Sequence, residues 1–346
     1  MTAYVSRPQI TLADHKVTTG DILDDIKAHH PDHPRLGAIL RVVGNCGVTT
    51  RYFTRPLASP LISGTAPVEE RAKTAFADAL GMAERAAVEA MDAAGLSPAD
   101  VTGVVTSHST GWSVPNLDVH LINRLGLKPT VRRLALTTLA CAGGVQALVR
   151  ACDMVAARPG DRVLVVVSEV ISSVYNHADT SIEAMIYKGL FGDSAGAVVV
   201  TGEPLGEGLA IDDTFEYVLP GSLDRYSGRL DGSGLHFDST KKALTAADDV
   251  LPALLEWTGD SPADFALIHP GSPRIISDTA TALGLAPHDS RHSTDTLAEE
   301  GNLGGVSVLR VLDRTHTDAP PAGAHGFAVA YGPGFATAAL RVRWNS

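Results

Sequence analysis

The sequence predicts an α/β protein assembled from two related halves. The segment Cys141-Ala-Gly-Gly-Val-Gln-Ala-Leu aligns with Asn302-Leu-Gly-Gly-Val-Ser-Val-Leu, and each begins 33 residues after a histidine, His108 or His269, that ends an apolar run. Such an internal near-repeat indicates one supersecondary unit used twice. Strand-like and helix-like runs also alternate along 346 residues, a length typical of more than one small core. Two such halves packed face to face would bring a thiol, a carboxamide and a histidine to a shared centre.

Individual elements follow from local patterns. Residues 67–95 have apolar positions at helical spacing and end at Gly95, which predicts a helix. Short aliphatic runs predict buried strands at 101–106, 131–139, 162–167, 197–201 and 265–268. Residues 202–240 are rich in Gly, Asp and Ser, which predicts a long loop or hairpin between the halves. Residues 326–344 predict two strands joined by a turn.

The two predicted halves divide the chemistry between them. The N-terminal half, residues 1–205, carries the candidate nucleophilic cysteine, and the C-terminal half, residues 206–346, carries the candidate histidine and asparagine. Hydrophobic residues make up 45% and charged residues 19% of the chain, which is enough apolar surface for a buried core.

The overall charge restricts the classes of partner. A formal net charge of −11 argues against nucleic acid or an anionic membrane surface as the main partner. A local basic patch remains possible at Arg51, Arg55, Arg132 and Arg133.

Cysteine usage and the first residues predict the compartment. Three cysteines without CxxC spacing fit neither a disulfide framework nor a zinc site, so we expect a reducing compartment and no bound metal. The first residues lack a signal-peptide pattern, and we expect no 18-residue apolar span. The sequence therefore predicts a soluble, cytoplasmic protein without membrane insertion.

Cys141 differs from the other two cysteines in its setting. Cys46 and Cys152 are predicted to be small core residues. Cys141 precedes a predicted helix, and the helix N-terminus favours a thiolate nucleophile. Gly143 and Gly144 either leave the backbone open to a substrate or allow close helix packing.

Histidine and asparagine leave alternatives open. Residues His29, His30 and His33 predict a solvated loop. His269 and His108 both end strand-like runs, where α/β folds place ligands, and pattern alone does not choose between them. Asn302 is either a hydrogen-bond donor for a substrate or a helix N-cap.

Five ordered motifs carry a family resemblance. They are Ala-Cys141-Ala-Gly-Gly, Leu-Phe191-Gly-Asp-Ser-Ala-Gly, His269-Pro-Gly-Ser-Pro, Gly-Asn302-Leu-Gly-Gly and Tyr-Gly-Pro333-Gly-Phe. Together they resemble the signatures of the type III polyketide synthases, the chalcone synthase family. Val-Thr-Thr-Arg-Tyr and Ser-Thr-Gly-Trp-Ser-Val-Pro-Asn-Leu-Asp extend the resemblance toward the N-terminus.

The resemblance implies a fold and a mechanism. The fold would be a thiolase-like five-layer αβαβα arrangement of two related halves, in a homodimer. Cys141 would be the nucleophile that accepts an acyl group from an acyl-CoA, and His269 rather than His108 would act with Asn302 on malonyl-CoA. No metal or organic cofactor would be required.

The resemblance also implies the residues that line the substrate site. Phe191 and Phe237 match two gatekeeper positions, and Val114 matches one that reaches across the dimer interface. Other positions match the walls of the reaction chamber: Thr110, Ile171, Val174, Gly228, Gly304 and Pro333. Arg51 and Arg55 are candidates to bind CoA. Ile171 and Val174 stand where chalcone synthase has threonines, which favours aliphatic or small starters over phenolic ones.

Three other functions remain open from the sequence. A β-ketoacyl-acyl-carrier-protein synthase of the third kind shares the fold and a Cys-His-Asn set, although the Pro-Gly after His269 favours the polyketide synthase. A non-catalytic thiolase-fold subunit and a cysteine hydrolase are the other two.

Overall fold

The computed structural model describes residues 2–345, as a mixed α/β protein. The strands are β1 (Ala3–Val5), β2 (Gln9–Leu12), β3 (His15–Thr18), β4 (Thr50–Phe53), β5 (Gly103–His108), β6 (Arg132–Thr137), β7 (Arg162–Glu169), β8 (Ser194–Thr201), β9 (Gly208–Val218), β10 (Tyr226–Asp231), β11 (Gly234–Ser239), β12 (Phe265–Ile268), β13 (His325–Gly332) and β14 (Ala336–Asn345).

The helices alternate with these strands. They are α1 (Thr19–His29), α2 (Leu36–Gly44), α3 (Pro60–Ser63), α4 (Val68–Ala93), α5 (Leu117–Arg124), α6 (Gly143–Ala157), α7 (Ile182–Lys188), α8 (Ala246–Thr258), α9 (Pro273–Ala282), α10 (Arg291–Glu300) and α11 (Ser307–Thr315). Short 3-10 turns, Ala140–Ala142 and Gly304–Val306, lead into α6 and α11.

One ten-stranded sheet contains the same strand order twice. The order β5-β7-β8-β1 in the N-terminal half is repeated as β12-β13-β14-β9 in the C-terminal half. In each set the first pair is parallel and the following pairs are antiparallel. The short strand β1 pairs with β9 and so joins the two sets. This topology is what the internal near-repeat predicts.

Helices cover both faces of each half in the five-layer arrangement. α4 packs against β7 and β8 on the outside, while α8 and α9 pack against β9 and β12. α6 and α11 form the central layer, because α6 contacts β5 and β7 of one half and β13 and β14 of the other. A single apolar cluster runs through this layer, including Val145, Leu148, Val306 and Leu309.

The central helices touch at their glycines. A Cβ on Gly144 would lie 2.1 Å from the backbone oxygen of Gly305, and a Cβ on Gly143 would lie 2.3 Å from the Ser107 hydroxyl. Gly144 therefore requires glycine for close packing of the two central helices, while Gly143 packs against Ser107 of β5. Of the two explanations that the sequence left open, helix packing accounts for Gly144.

Most predicted elements are confirmed, with two corrections. The strands predicted at 162–167 and 265–268 are β7 and β12, and the helix predicted at 67–95 is α4. The segment 202–240 is not only loop and hairpin, because it contributes β9, an 11-residue strand of the main sheet. An 18-residue apolar window, which we did not expect, runs from Ala140 to Ala157. It is long and apolar enough to cross a membrane by length and composition alone, but it coincides with the core helix α6.

Candidate active site

A cavity lies where the central helices of the two halves begin. Cys141, His269 and Asn302 all line it, together with mostly apolar side chains. The three residues come from three separate segments of the chain, and the two helix starts bring two of them together. His108, the counterpart of His269 in the near-repeat, does not line this cavity.

Cys141 lies in the 3-10 turn just before α6, as predicted. Two non-glycine residues ahead of it, Thr138 and Ala140, have positive φ angles of 62° and 46°. Such angles are rare for residues with a Cβ and persist only where the surroundings hold them. Here the backbone N–H of Ala140 donates to the Ser109 hydroxyl at 2.8 Å. The turn therefore holds the thiol at a fixed place in the cavity wall.

Asn302 faces Cys141 from the other half. The Sγ atom of Cys141 lies 3.9 Å from both Oδ1 and Nδ2 of the carboxamide. The Asn302 backbone bonds to Leu190 and Gly192 on either side of Phe191, and its Oδ1 accepts from the N–H of Gly304 at 2.9 Å. Because Oδ1 is engaged, the Nδ2 group is the part of the side chain that is available to donate.

His269 follows directly after β12. Its backbone N–H donates to the carbonyl of Val329 at 2.8 Å, and its side chain is buried. The Nδ1 atom has no hydrogen-bond partner among residues 2–345. Burial lowers the pKa of His269 to about 3, so the imidazole is neutral at pH 7.

The surroundings of Cys141 also disfavour its charged form. Burial raises the pKa of its thiol to about 12, and the nearby Glu169 carboxylate raises it further, while the hydrogen bond with Asn302 acts in the opposite direction. We expected a thiolate held by the helix N-terminus, and loss of solvation acts against that charged form. The thiolate remains a prediction.

Glu169 is a cavity residue that the sequence analysis missed. It ends β7, is almost completely buried and accepts from the backbone N–H of Ser109 at 3.1 Å. Its Oε1 atom has no partner in the described part of the chain. Burial raises its pKa to about 7. A single charged residue that ends a buried aliphatic strand was the available signal.

Phe191 and Phe237 lie together on the cavity wall. Their ring centroids are 6.2 Å apart with the planes at 68°, an edge-to-face arrangement. Phe191 also contacts Tyr187, at 5.4 Å between centroids. Their role as gatekeepers remains a prediction.

The other predicted substrate residues line two different cavities. Thr110, Ile171, Gly304 and Pro333 line the same cavity as Cys141. Val174 lines a second, adjoining chamber instead.

Two further positions lie outside the cavity wall. Gly228 is opposite Phe237 in the β10–β11 hairpin and does not itself line the cavity, so we correct its placement. Val114 is 80% exposed in a single chain, next to Trp112 at 82%.

The candidate CoA residues require one correction. Arg51 is fully buried and donates to the Thr19 hydroxyl and the Gly189 carbonyl, so it cannot contact CoA. Burial is also what lowers its pKa to about 10. Arg55 is partly exposed and bonds to Asp78 at 2.7 Å, and its role remains a prediction.

One group of side chains has the composition of a metal site. Asp25, His29 and His177 offer ligand atoms within 4.8 Å of one another, away from the cavity. The two imidazole rings stack at 3.6 Å with only 13° between their planes. One ion cannot lie in both ring planes in this arrangement, so we assign no metal to it.

Comparison with known proteins identifies the family. Residues 56–204 match the family model of the N-terminal domain of chalcone and stilbene synthases, and residues 211–344 match that of the C-terminal domain. The chain is 32% identical to 1,3,6,8-tetrahydroxynaphthalene synthase of Streptomyces coelicolor, over 96% of this chain and 90% of that protein. It is 29% identical to phloroglucinol synthase of Pseudomonas fluorescens, over 98% of both chains.

Solved structures agree with this family. The crystal structure of 1,3,6,8-tetrahydroxynaphthalene synthase from Streptomyces coelicolor superposes with a TM-score of 0.94, at 31% identity and over 99% of both chains. Germicidin synthase from the same species superposes with a TM-score of 0.93, at 30% identity over 99% and 100% of the chains. These comparisons give no support to the carrier-protein synthase or to the non-catalytic subunit. The chain therefore belongs to the chalcone and stilbene synthase family, and it is a type III polyketide synthase, a decarboxylating condensing acyltransferase that uses CoA thioesters and needs no cofactor.

Proposed function

We propose that Cys141 accepts the starter acyl group and that His269 and Asn302 support its extension with malonyl-CoA. The observation that carries this proposal is the convergence of the three side chains on one mainly apolar cavity. A cavity that excludes water strengthens the electrostatic interactions inside it and protects a thioester from hydrolysis.

Loading begins from a neutral pair. The Cys141 thiol gives its proton to His269 as Sγ attacks the thioester carbonyl of the acyl-CoA. A new S–C bond forms, the C–S bond to CoA breaks, and the proton passes to the departing CoA thiolate. The raised pKa of Cys141 and the lowered pKa of His269 both favour the neutral pair before the acyl-CoA binds.

Extension with malonyl-CoA uses the side chains of His269 and Asn302. As CO2 leaves, negative charge develops on the thioester oxygen, and donors from His269 and the Nδ2 of Asn302 stabilise it. The resulting enolate carbon attacks the acyl carbonyl on Cys141, forms the C–C bond and releases the Cys141 sulfur. Repetition lengthens a poly-β-keto chain, which then cyclises in the cavity to a pyrone, a resorcinol or a related ring.

Assembly and organisation of the chain are part of the proposal. A homodimer is supported by the exposed pair Trp112 and Val114, because large apolar side chains at this exposure are typical of a covered interface. The division into halves at residues 205 and 206 is supported by the repeated strand order. A cytoplasmic location is supported by the three free cysteines.

The test is a panel of starters with purified protein and malonyl-CoA, with product masses as the readout. We expect condensation products without carrier protein, and a medium-chain acyl-CoA to exceed a hydroxycinnamoyl-CoA in kcat/KM by about tenfold. The physical reason is that Ile171 offers no hydrogen-bond partner in the cavity wall, and a buried unpaired hydroxyl costs about 1–3 kcal/mol. Release of free acid without condensation would instead indicate a cysteine hydrolase.

A further inference from the structure

A second chamber adjoins the central cavity. It shares four wall residues with the cavity, namely Ile171, Tyr187, Phe191 and Phe237. The two spaces are thus separated only by the aromatic pair and its neighbours. An acyl chain on Cys141 that passes this pair would place its far end in the second chamber.

The second chamber has a buried cation in its wall. Lys188, the last residue of α7, lines the chamber and is only 3% exposed. Its Nζ lies 3.3 Å from Nε2 of His30, 4.0 Å from Sδ of Met185 and 5.0 Å from the centre of the Tyr175 ring. None of these three neighbours carries a negative charge at neutral pH.

His30 was predicted from the sequence to belong to a solvated loop, and this is wrong. It is 7% exposed and packs beside Lys188. Burial and the neighbouring Lys188 charge lower its pKa to about 4, so its Nε2 accepts from the ammonium rather than repelling it. The pKa of Lys188 is lowered by burial to about 8, which leaves it mainly charged at pH 7.

The nearest carboxylates are engaged elsewhere. Among residues 2–345, no carboxylate oxygen lies within the 4.0 Å that defines an ion pair with Lys188. Asp25 and Asp179 act on it only from farther away. Asp25 accepts from His177 at 2.9 Å, and Asp179 accepts from Nδ1 of His236 at 2.8 Å.

A buried ammonium without a paired anion is expensive to maintain. The cost of removing a charge from water exceeds what contact with one aromatic face returns. A strongly perturbed buried cation in a pocket wall is a candidate functional group.

We propose that Lys188 binds the terminal carboxylate of the starter acyl group, so that this enzyme selects starters that are CoA monothioesters of aliphatic dicarboxylic acids. The proposal rests on the proposed function, because it requires the starter to be attached at Cys141. The apolar central cavity accommodates the methylene groups, and the second chamber accommodates the carboxylate. Asp179 also lines this chamber, where it accepts from Nδ1 of His236 at 2.8 Å and lies 4.0 Å from Arg229.

The test compares matched pairs of starters. Succinyl-, glutaryl- and adipyl-CoA are each paired with the neutral ester of equal carbon number, butyryl-, valeryl- or hexanoyl-CoA. Acyl transfer to Cys141 is followed by intact-protein mass spectrometry in the wild type and in Lys188→Met. We expect the wild type to prefer at least one dicarboxylic ester by about tenfold or more, and Lys188→Met to reduce that ratio by about tenfold or more.

Variants separate recognition from stability. Lys188→Met keeps the length of the side chain without the charge, and Lys188→Arg should restore part of the preference. Lys128→Met, which removes an exposed lysine, should leave the ratio unchanged. A wild type without a preference for any dicarboxylic ester, or a preference that survives Lys188→Met, would overturn the proposal.

A binding experiment distinguishes a failure of this proposal from a failure of the proposed function. The dissociation constants of the same six esters are measured by calorimetry on Cys141→Ala and on Cys141→Ala combined with Lys188→Met. The same change in ratio is expected there, because recognition of the carboxylate does not depend on acyl transfer. If no starter gave a condensation product but this ratio still changed, the assigned condensation chemistry would fail while the role of Lys188 would stand.

Discussion

The two strand-end histidines occupy equivalent places in the two halves and have opposite surroundings. His108 ends β5, and its Nδ1 lies 2.7 Å from the carbonyl oxygen of Ser168. Its ring packs edge-on against Phe76, 5.8 Å away between centroids. His269 follows β12, lines the cavity and leaves Nδ1 without a partner in the described chain. A duplicated scaffold thus offers two candidate bases, and packing leaves only one of them, His269, in the wall of the cavity that Cys141 lines.

The helix starts differ in a complementary way. In one half the residue before Gly-Gly is a thiol, and in the other half it is a carboxamide whose oxygen is already bonded to Gly304. The scaffold fixes both positions through the contact between Gly144 and Gly305. Chemistry is therefore assigned by single residues on a frame that is common to both halves.

The largest expected effect is the loss of acyl loading when the nucleophile Cys141 is replaced. In Cys141→Ala we expect acyl loading and product formation to be abolished, while slow malonyl-CoA decarboxylation remains because His269 and Asn302 are still present. Intact-protein mass spectrometry after exposure to a starter acyl-CoA measures the loading. Cys152→Ala, also on the α6 segment, is the matched control and should load normally. An acyl adduct on the Cys141→Ala protein would refute the assignment.

The two histidines are separated by their effect on decarboxylation. We expect His269→Ala and Asn302→Ala each to raise the barrier to malonyl-CoA decarboxylation by about 2–4 kcal/mol, the usual loss for one donor to a developing oxyanion. His108→Ala should change the free energy of unfolding more than this rate, because it removes a buried ring and its bond to Ser168. The assignment would be wrong if the His108→Ala protein folded but no longer decarboxylated malonyl-CoA while the His269→Ala protein remained active. The catalytic histidine would then lie in the N-terminal half.

The contact between Gly144 and Gly305, which joins the two central helices, can be tested by substitution. Gly144→Ala should lower the free energy of unfolding by about 1–3 kcal/mol or more, since the new Cβ would overlap the Gly305 carbonyl and force the two central helices apart. Gly81→Ala is the control, because it lies within α4 and a Cβ there meets nothing within 4 Å. That change should raise the free energy of unfolding by up to about 1 kcal/mol. Chemical denaturation of both variants measures the difference, and equal effects would contradict the packing argument.

The smallest effect concerns the resting charge of the site. The Glu169 carboxylate raises the pKa of the Cys141 thiol, so Glu169→Gln should lower that pKa and speed alkylation. Because burial raises the pKa of Glu169 itself to about 7, its charge is present only above that pH. The difference from the wild type should therefore grow above pH 7 and vanish below it. Rates of iodoacetamide alkylation at Cys141 against pH provide the measurement, and superimposable profiles would exclude this coupling.

Periodicity and composition predicted the parts of the fold that have continuous patterns. β7 and β12 are uninterrupted aliphatic runs, so their burial could be inferred directly. β9 could not, because its sequence contains adjacent aspartates and only its first four residues are buried. The opposed helix starts of Cys141 and Asn302 were predictable because the same short pattern occurs twice.

Isolated buried charges were not predictable in the same way. Glu169 and Lys188 are single polar residues in segments that otherwise give ordinary strand and helix patterns, and their burial depends on elements distant in the chain. Arg51 illustrates the same limit, because resemblance suggested a CoA contact where packing encloses the guanidinium completely. Sequence therefore predicted which residue types meet at the centre but not which charges are solvated.

The strand that joins the halves also has a consequence for the order of assembly. β1 is only three residues long and pairs with β8 on one side and β9 on the other. During synthesis, β1 leaves the ribosome about 190 residues before β8, so neither of its neighbours exists when it is made. The chain must therefore keep this short segment unpaired until β8 and β9, which end at Thr201 and Val218, have been synthesised. Although β1 is among the first parts of the chain to be made, it can pair only after the whole N-terminal half has been synthesised.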